Sequence, residues 1–300
     1  MTRAAAGRPR SRRWRKAPVP WLFLLPALVI FALFKYIPIV KGLDMSFYKV
    51  NFGASWDWVG LANFRRALDD TDLHVAVIHT AQYVASTVLL SALLGFGMAL
   101  LLEGPARHLR VIRTAIFLPA VTSAAVLAEI WRILLAPTSY GPVNTIIGWV
   151  GLGPAEFFDK PGQALLSLIA MATWKTVPYD MMIFLAGLSG VNRELYEAAA
   201  MDGANGFQRL WHITIPSMRH AFVIVGVLGF IRGFRVFTEV YATTGGGPAG
   251  ATEVIMTHVY KTGFVEIDYG YAAAVSCLVF AFTVVATTAY LTWERRGRAR

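Results

Sequence analysis

The sequence contains little cysteine and little charge. Its one cysteine, Cys277, lies in an apolar run, which excludes an internal disulfide and a cysteine-based metal site. Only 15% of the 300 residues are charged, against about 25% in a typical soluble domain. Apolar residues make up 56% of the chain. This composition indicates a membrane protein with several spans rather than a soluble globular domain.

The sequence also lacks the motifs of common catalytic and nucleotide-binding sites. It has no GxxxxGK[ST] loop, and the glycine-rich segment Gly245–Pro248 has no Lys-Ser/Thr after it. HExxH, GxSxG and CxxC are absent, and the six histidines show no metal-ligand spacing. We therefore predict no catalytic residue, no metal site and no cofactor bound by this chain.

Long apolar runs predict membrane-spanning helices, because about 20 apolar residues cross the hydrocarbon core and the backbone must be paired within lipid. Runs such as Val84–Leu102 do not alternate as the strands of a porin-like barrel do. The predicted fold class is an all-α polytopic membrane protein with six transmembrane helices. The predicted spans are Val19–Met45, His79–Leu102, Ile112–Leu135, Gln163–Leu188, Ala221–Thr243 and Tyr271–Trp293.

The N-terminal run has basic residues before an apolar core, as a signal peptide does. Its length and the lack of a small-x-small cleavage site at Phe34–Pro38 favour a retained first helix, interrupted by Pro26 and Pro38. The basic residues before it are predicted to contact anionic lipid of the bilayer. A net charge of +10 also suits nucleic acid, but its clustering at the ends and in short loops argues against that partner.

Basic residues are unevenly distributed between the segments that join the spans. With the N-terminus inside, the inner segments carry 17 Lys and Arg and the outer segments carry 5. The positive-inside rule then places both termini in the cytoplasm, in the cell membrane of a prokaryote. We predict basic cytoplasmic tails at residues 1–17 and 294–300, a first transmembrane helix at 18–46, an extracytoplasmic segment at 47–74 and a transmembrane core at 75–293.

The inner segment at residues 190–219, called the coupling loop below, has helix signals and an apolar face. Asn192 is a predicted N-cap, and Gly203 and Asn205-Gly206 supply a break. A second short helix is predicted at Phe207–His212, ended by Pro216. Residues three and four apart form a face of small side chains that a partner could approach: Leu195, Ala198, Ala199 and Asp202. An ordinary amphipathic connector is the alternative interpretation.

The spacing in this loop resembles the EAA loop of ABC importer permeases. Glu197-Ala198-Ala199 precedes Gly203 by three residues, and nine more residues lead to Ile213-x-Ile215-Pro216. The family commonly has Pro at the position of Asn192. The resemblance implies a type I ABC importer core whose loop enters a groove on a separate ATPase. The residues implied in coupling are Glu197, Ala198, Ala199, Asp202, Gly203, Ile213 and Pro216.

Further segments, in order along the chain, resemble the carbohydrate-type importers of the maltose-permease kind. They are Leu22–Ala27, Phe117–Pro119, Trp174–Tyr179, Phe184–Leu188, Thr244–Pro248, Tyr260–Phe264 and Tyr269–Ala273. The resemblance implies a sugar-like solute, a second homologous permease subunit, two ATPase copies that hold ATP and Mg, and an extracytoplasmic solute-binding protein. Whether this subunit or its partner holds the solute stays open.

Charged residues inside spans are costly and tend to face a cavity or a partner. Glu129 and Arg132 are spaced to pair on one helix, as are Arg235 and Glu239 with Arg232 on the same face. Self-neutralising structural pairs and a solute pathway are both compatible with this pattern. Gly229 and Gly233 permit close helix contact, expected within this subunit.

The resemblance to maltose-type permeases places the solute between the helices before and after the coupling loop. The pathway residues are Trp174, Lys175, Tyr179, Arg232, Gly233, Arg235, Val236 and Glu239. Lys175 and Arg232 depart from the neutral amides expected of a maltose-like pocket, which leaves room for a phosphorylated polyol or an acidic sugar. The alternative function is a proton-coupled secondary transporter that uses Glu129, Asp180 or Glu239. A membrane-embedded enzyme is disfavoured because the sequence shows no catalytic nucleophile motif and no group of metal-ligating residues.

Overall fold

The computed structural model describes residues 19–50 and 56–298, with side chains for 21–50 and 56–292. Within these residues the backbone forms fifteen α-helices, short π-helical and 3-10 turns, and one two-stranded hairpin. The tail predicted at 1–17 and the side chains of the tail predicted at 294–300 lie outside the described part. The mostly helical architecture agrees with the predicted class.

The first apolar segment forms a continuous helical rod of α1 (Val19–Phe31), a π-helical turn (Ala32–Tyr36) and α2 (Ile37–Met45). The π turn closes where Ile37 N–H donates to Ala32 O, directly before Pro38. Proline has no N–H to continue an α-helical ladder, and the wider turn accommodates it. The rod also runs through Pro26, so the predicted interruptions are not breaks.

A small hairpin follows the rod. Strand β1 (Tyr48–Val50) pairs antiparallel with β2 (Trp56–Trp58), and the Tyr48 and Trp58 rings contact edge-on at 5.1 Å. Aromatic and β-branched residues favour strands. The prediction of an all-α chain is wrong here, because two three-residue strands are too short to stand out between long apolar runs. Helix α3 (Ala62–Asp69) follows the hairpin.

Helix α4 (Thr71–Leu101) is 31 residues long and begins earlier than the predicted His79. The Asp70 side chain caps it by accepting from Asp72 N–H and Leu73 N–H. The first turn is polar, so hydropathy alone placed the start too late. The cap shows that a helix start is marked by local hydrogen bonding before apolar residues begin.

The third predicted span, Ile112–Leu135, is broken. Helices α5 (Arg107–Val121) and α6 (Ala124–Leu134) meet at 98°. Pro119 lacks the N–H of an unbroken ladder, and Ser123 caps α6 by accepting from Val126 N–H. The prediction of one continuous helix is wrong because these two residues stop a helix without lowering the hydropathy of the run.

The middle of the chain continues with α7, a 3-10 turn and a long helix, α8. Their bounds are Pro142–Trp149, Phe157–Asp159 and Pro161–Ser189. The coupling loop then forms α9 (Arg193–Met201), α10 (Gly206–Arg209), a π turn (Leu210–Thr214) and α11 (Ile215–Ser217).

The fifth predicted span, Ala221–Thr243, is also interrupted. It forms α12 (Arg219–Phe234) and α13 (Thr238–Thr243), separated at residues 235–237. Phe237 has φ −142° and ψ −63°, which is not helical. The sixth predicted span, Tyr271–Trp293, lies within α15 (Tyr269–Arg298), which follows α14 (Ile255–Tyr260) and a π turn (Lys261–Val265).

Three helices in the described residues are long and apolar enough to cross a membrane: Trp21–Met45, Thr71–Leu101 and Tyr269–Thr292. The count reaches five if the bent pairs Arg107–Leu134 and Gly206–Phe234 are each one span. Helix α8 has 29 residues but is not among them; Lys175 and Asp180 lie near its middle. Length and apolarity thus support several spans without reaching the predicted six.

Helix α4 is the central element of the bundle and packs along α8 and α12. A Cβ on Gly95 of α4 would lie 3.0 Å from Met181 N on α8. A Cβ on Gly229 or Gly233 of α12 would lie 2.8 or 2.7 Å from the Cγ2 of Val88 or Val84 on α4. These glycines allow the close helix contact expected of them, and it is made within the subunit.

Candidate solute pathway and coupling loop

The coupling loop starts with a capped helix, as predicted. The Asn192 side chain accepts from Glu194 N–H at 3.0 Å, and Glu194 lies in the first turn of α9, where the helix dipole favours an acid. The side chain of Glu197 is exposed one turn later. The loop therefore presents this carboxylate to the surroundings on a locally specified helix.

The break between the two loop helices lies at the predicted residues. Gly203 has φ +75°, a conformation that side chains with a Cβ rarely adopt. Asn205 then caps α10 by accepting from Gln208 N–H, and the Gln208 side chain accepts from Asn205 N–H. This reciprocal capping box fixes the direction in which the second helix leaves the turn.

The prediction that Pro216 ends the second helix is wrong. Helical structure continues from α10 through a π turn, in which Ile215 N–H donates to Leu210 O, and reaches Ser217. The π turn directly before Pro216 accommodates the missing N–H, as the first one does before Pro38. The direction changes at Met218, where the chain bends by 63° into α12.

A side-chain hydrogen bond joins the two halves of the loop. The hydroxyls of Tyr196 on α9 and Thr214 in the π turn are 2.8 Å apart, and Thr214 is buried. A cavity of 840 Å³ separates the loop from the α4–α5 turn, and Arg113, Arg193 and Arg209 are among its lining residues. The hydrogen bond holds the two halves of the loop together, and the cavity lies between the loop and the α4–α5 turn.

Large apolar side chains of the loop are exposed. Met201 is 90% exposed, Phe207 73% and Trp211 60%, and the last two rings stack at 6.4 Å. An exposed apolar patch on a polar loop is typical of an interaction surface. These side chains, together with Glu197 and the alanines of α9, are called the docking face below.

A cavity of 450 Å³ lies between α4, α8 and α12. Seven of the eight predicted pathway residues line it: Lys175, Tyr179, Arg232, Gly233, Arg235, Val236 and Glu239. Trp174 does not; its ring contacts Trp131 at 5.8 Å and is 44% exposed. The sequence did not single out the α4 wall of this cavity, formed by Tyr83, Thr87, Val88 and Ser91.

The charges of the cavity pair across helices rather than along one. Lys175 Nζ lies 2.7 Å from Glu239 Oε1, and an Arg232 guanidinium nitrogen lies 2.8 Å from Oδ1 of the fully buried Asp180. The predicted pairing of Arg235 with Glu239 along one helix is wrong, because the helix breaks at residues 235–237. Both observed pairs fasten α8 to the segment after the loop.

One further predicted ion pair is present, and Tyr179 makes a contact that the sequence did not predict. Glu129 and Arg132 form the expected pair on α6 at 3.4 Å, but both side chains are more than half exposed and the pair contributes little stability. The Tyr179 hydroxyl donates to Ala120 O at 2.7 Å, at the end of α5 beside the bend. Tyr179 therefore connects the cavity to the broken third segment.

A charged cluster at the hairpin end of the bundle was not found from the sequence. Asp70 accepts a 2.5 Å hydrogen bond from the Tyr271 hydroxyl, and His258 Nε2 lies 3.6 Å from the same carboxylate. Burial raises the pKa of Asp70, but hydrogen bonds from Tyr271 and Leu73 N–H and the nearby His258 hold it below its usual value overall. The partners are about 200 residues apart, so no local spacing reveals the cluster.

The sequence matches a described family over most of its length. Residues 91–298 match the family of binding-protein-dependent transport system inner membrane components. The matched range includes the coupling loop, α8, α12 and α15. It excludes the N-terminal rod, the hairpin and most of α4.

Two relatives are similar over nearly the whole chain. The trehalose/maltose transport system permease protein MalF of Thermococcus litoralis is 31% identical over 283 residues, covering 93% of this chain and 94% of that protein. The sn-glycerol-3-phosphate transport system permease protein UgpA of Agrobacterium fabrum is 33% identical over 282 residues, covering 91% and 92%.

Among solved structures, a chain of a bacterial ABC transporter involved in the import of the acidic polysaccharide alginate has a similar fold. The TM-score is 0.81 at 24% sequence identity, over 93% of this chain and 95% of that chain. The likeness covers a larger share of the chain than the matched family range does.

Proposed function

Because the chain belongs to the family of binding-protein-dependent transport system inner membrane components, we propose that it is a permease subunit of an ATP-driven importer of a sugar or sugar-like solute. The relatives named for trehalose/maltose and for sn-glycerol-3-phosphate support a solute of oligosaccharide, polyol or glycerol-phosphate type. The chain itself carries no phosphate-binding loop, so ATP hydrolysis is assigned to a separate subunit.

The topology proposed has six spans with both termini in the cytoplasm. The broken α5–α6 pair and the α12–α13 pair each count as one span, and α8 counts as a sixth despite its central charges. Polar residues in a span are tolerated where they face a cavity or a partner, and Lys175 and Asp180 both pair there. The coupling loop then faces the cytoplasm.

The observation that carries the proposal is that the coupling loop connects two walls of one cavity. Helix α8 ends at Ser189 and α12 begins at Arg219, directly before and after the loop. Lys175 and Tyr179 of α8 line the same cavity as Arg232 and Gly233 of α12. A displacement of the loop is therefore transmitted to both walls.

The coupling step follows from this connection. The exposed face of Glu197, Phe207 and Trp211 docks on the ATPase, and the Tyr196–Thr214 hydrogen bond makes the two loop helices move together. When the ATPase pair closes, the loops of two permease subunits approach and the pathway opens outward; hydrolysis reverses the motion. A second permease subunit, two ATPase copies and an extracytoplasmic solute-binding protein complete the assembly.

Purification of the tagged chain from its native membrane in mild detergent tests this assembly. We expect a second permease and an ATPase with a phosphate-binding loop to co-elute, and variants of the docking face to lose the ATPase. Trp211→Ser is the variant, and Trp149→Ser, also exposed but outside the loop, is the control. A chain that elutes alone in both cases would contradict the proposal.

A further inference from the structure

The strongest unexplained feature of the cavity is Arg235. The lining contains three cations, Lys175, Arg232 and Arg235, and one acid, Glu239. Lys175 pairs with Glu239, and Arg232 pairs with Asp180 behind the wall. Arg235 has no ion pair among the residues that the structure describes, and its side chain is exposed. The cavity therefore carries one uncompensated positive charge.

The backbone of Arg235 is held in place, although its side chain has no ion pair within the described part of the chain. Its N–H donates to Arg232 O and Gly233 O at the end of α12. The side chain of the neighbouring Val236 is buried, with only 5% exposed. Gly233 packs so closely on Val84 that a Cβ there would lie 2.7 Å from Val84 Cγ2. Helix α12 ends at Phe234, directly before Arg235. The Arg235 side chain therefore extends from a fixed position in the cavity wall.

An unpaired guanidinium within a membrane-spanning segment is costly and is retained where it serves a function. The two neighbouring cations already have acidic partners in pairs that join α8 to α13 and α12, so an additional structural acid is not needed to hold the helices together. A guanidinium with free donors matches the geometry of a carboxylate or phosphate. These observations assign Arg235 to an anion that arrives and leaves.

We propose that the transported solute is an anionic polyhydroxyl compound, and that Arg235 binds its carboxylate or phosphate group in the cavity. This inference rests on the proposed importer function and narrows its solute class. The volume of 450 Å³ falls within the range of about 300–1,000 Å³ found for small-molecule sites. Residues that carry hydroxyl groups, which suit a polyol, line the same cavity: Tyr83, Thr87, Ser91, Thr176 and Tyr179. The hydroxyls of Thr87 and Tyr179 donate to backbone carbonyls, and their oxygens can still accept hydrogen bonds.

The test uses the intact assembly, purified with its partners and reconstituted in liposomes. Uptake is measured for glycerol 3-phosphate and a glucuronate disaccharide, each against its neutral counterpart, glycerol and maltose. We expect uptake of an anionic probe to exceed that of its neutral counterpart at least tenfold, since a charge-assisted hydrogen bond contributes about one to two powers of ten in affinity. The two anionic probes distinguish a phosphate from a carboxylate.

Variants then connect the preference to this residue. Arg235→Gln is expected to lower anionic uptake at least tenfold, Arg235→Lys to retain most of it, and the control Arg132→Gln, on an exposed pair of α6, to behave as wild type. Uptake of neutral probes in preference to anionic ones, or an equal loss of both in Arg235→Gln, would overturn the proposal while leaving the importer function intact. ATP-independent behaviour, or no response to any probe, would remove the importer function and the proposal with it.

Discussion

Among single residues, Asp180 has the most demanding environment. It is fully buried, one of its oxygens contacts Arg232 at 2.8 Å, and the other has no hydrogen-bond partner among the described atoms. A buried carboxylate without a cation is strongly unfavourable, and so is a buried cation deprived of its acid. The pair thus links α8 and α12 beside the cavity, at a point that the sequence marked only as isolated charges.

Replacing Asp180 with Asn should destabilise the protein by about 3 kcal/mol. This value is at the lower end of the range of stability losses for broken buried ion pairs, because the Arg232 side chain is 39% exposed and keeps partial access to water. The measurement is thermal unfolding of the purified protein in detergent. The double variant Asp180→Asn with Arg232→Gln removes both charges and should regain most of the loss. If the double variant were no more stable than Asp180→Asn, the broken ion pair would not be the cause of the stability loss.

Glycine contacts provide a second residue-level prediction. Gly229→Ala places a Cβ 2.8 Å from Val88 Cγ2 and should cost about 1–3 kcal/mol through overpacking. Adding Val88→Ala should relieve the clash and recover part of the stability. Gly97→Ala is the matched control, because a Cβ there meets nothing within 4 Å. Equal melting temperatures for Gly229→Ala and Gly97→Ala would contradict the packing described.

At the level of helices, the structure accommodates prolines within helical segments and uses side-chain caps to set where helices begin. Two π turns precede Pro38 and Pro216, and a serine cap follows Pro119 at the 98° bend. Asn192, Asn205 and Asp70 fix the starts of other helices. Local hydrogen bonds therefore set where these helices begin, and the cavity lies between α4, α8 and the interrupted α12–α13 segment.

The cap of α4 predicts a pH dependence. The pKa of Asp70 is below its usual value of about 4 in the folded state, so its contribution to stability is present above that value and is lost as the pH falls through the folded pKa. Wild-type stability should decline below about pH 4. In Asp70→Asn, which keeps a capping oxygen, this component of the decline should disappear.

Thermal unfolding between about pH 3 and pH 7 measures this effect. The Asn variant should be less stable than wild type at neutral pH, since the hydrogen bond from Tyr271 and the attraction to the nearby His258 depend on the carboxylate. Asp72→Asn, a neighbouring acid of the same turn, is the control. Parallel curves for wild type and Asp70→Asn would contradict the assignment.

For the complete chain, apolar runs and the loop motif were sufficient to predict a helical membrane protein of the importer permease family. The caps of the coupling loop were predictable because Asn192 and Gly203 act on their own neighbours. Seven of the predicted pathway residues lie together around one cavity. The resemblance points to Tyr179 and the Arg232–Val236 turn, and Lys175 and Glu239 are predicted as charged residues within spans. Their role in solute movement remains a prediction.

The remaining features depend on distances that a sequence does not contain. The partners of Lys175 and Arg232 follow from how α8 lies against α12 and α13. The Asp70–Tyr271 hydrogen bond joins residues that are 201 positions apart in the sequence. The break at residues 235–237 contains no proline or glycine that would predict it from the sequence. Tertiary packing decides these features, which is why local spacing paired Arg235 with Glu239, an acid that contacts Lys175 instead.

The central claim is that the coupling loop transmits work from a separate ATPase to the cavity. Its most direct test is uptake into liposomes that contain the intact assembly, with either ATP on the loop side or an imposed pH gradient. We predict uptake only with ATP, reduced at least tenfold by Glu197→Lys and unaffected by Asp159→Lys, an exposed acid outside the loop. Uptake driven by the pH gradient without ATP, and insensitive to Glu197→Lys, would contradict the account.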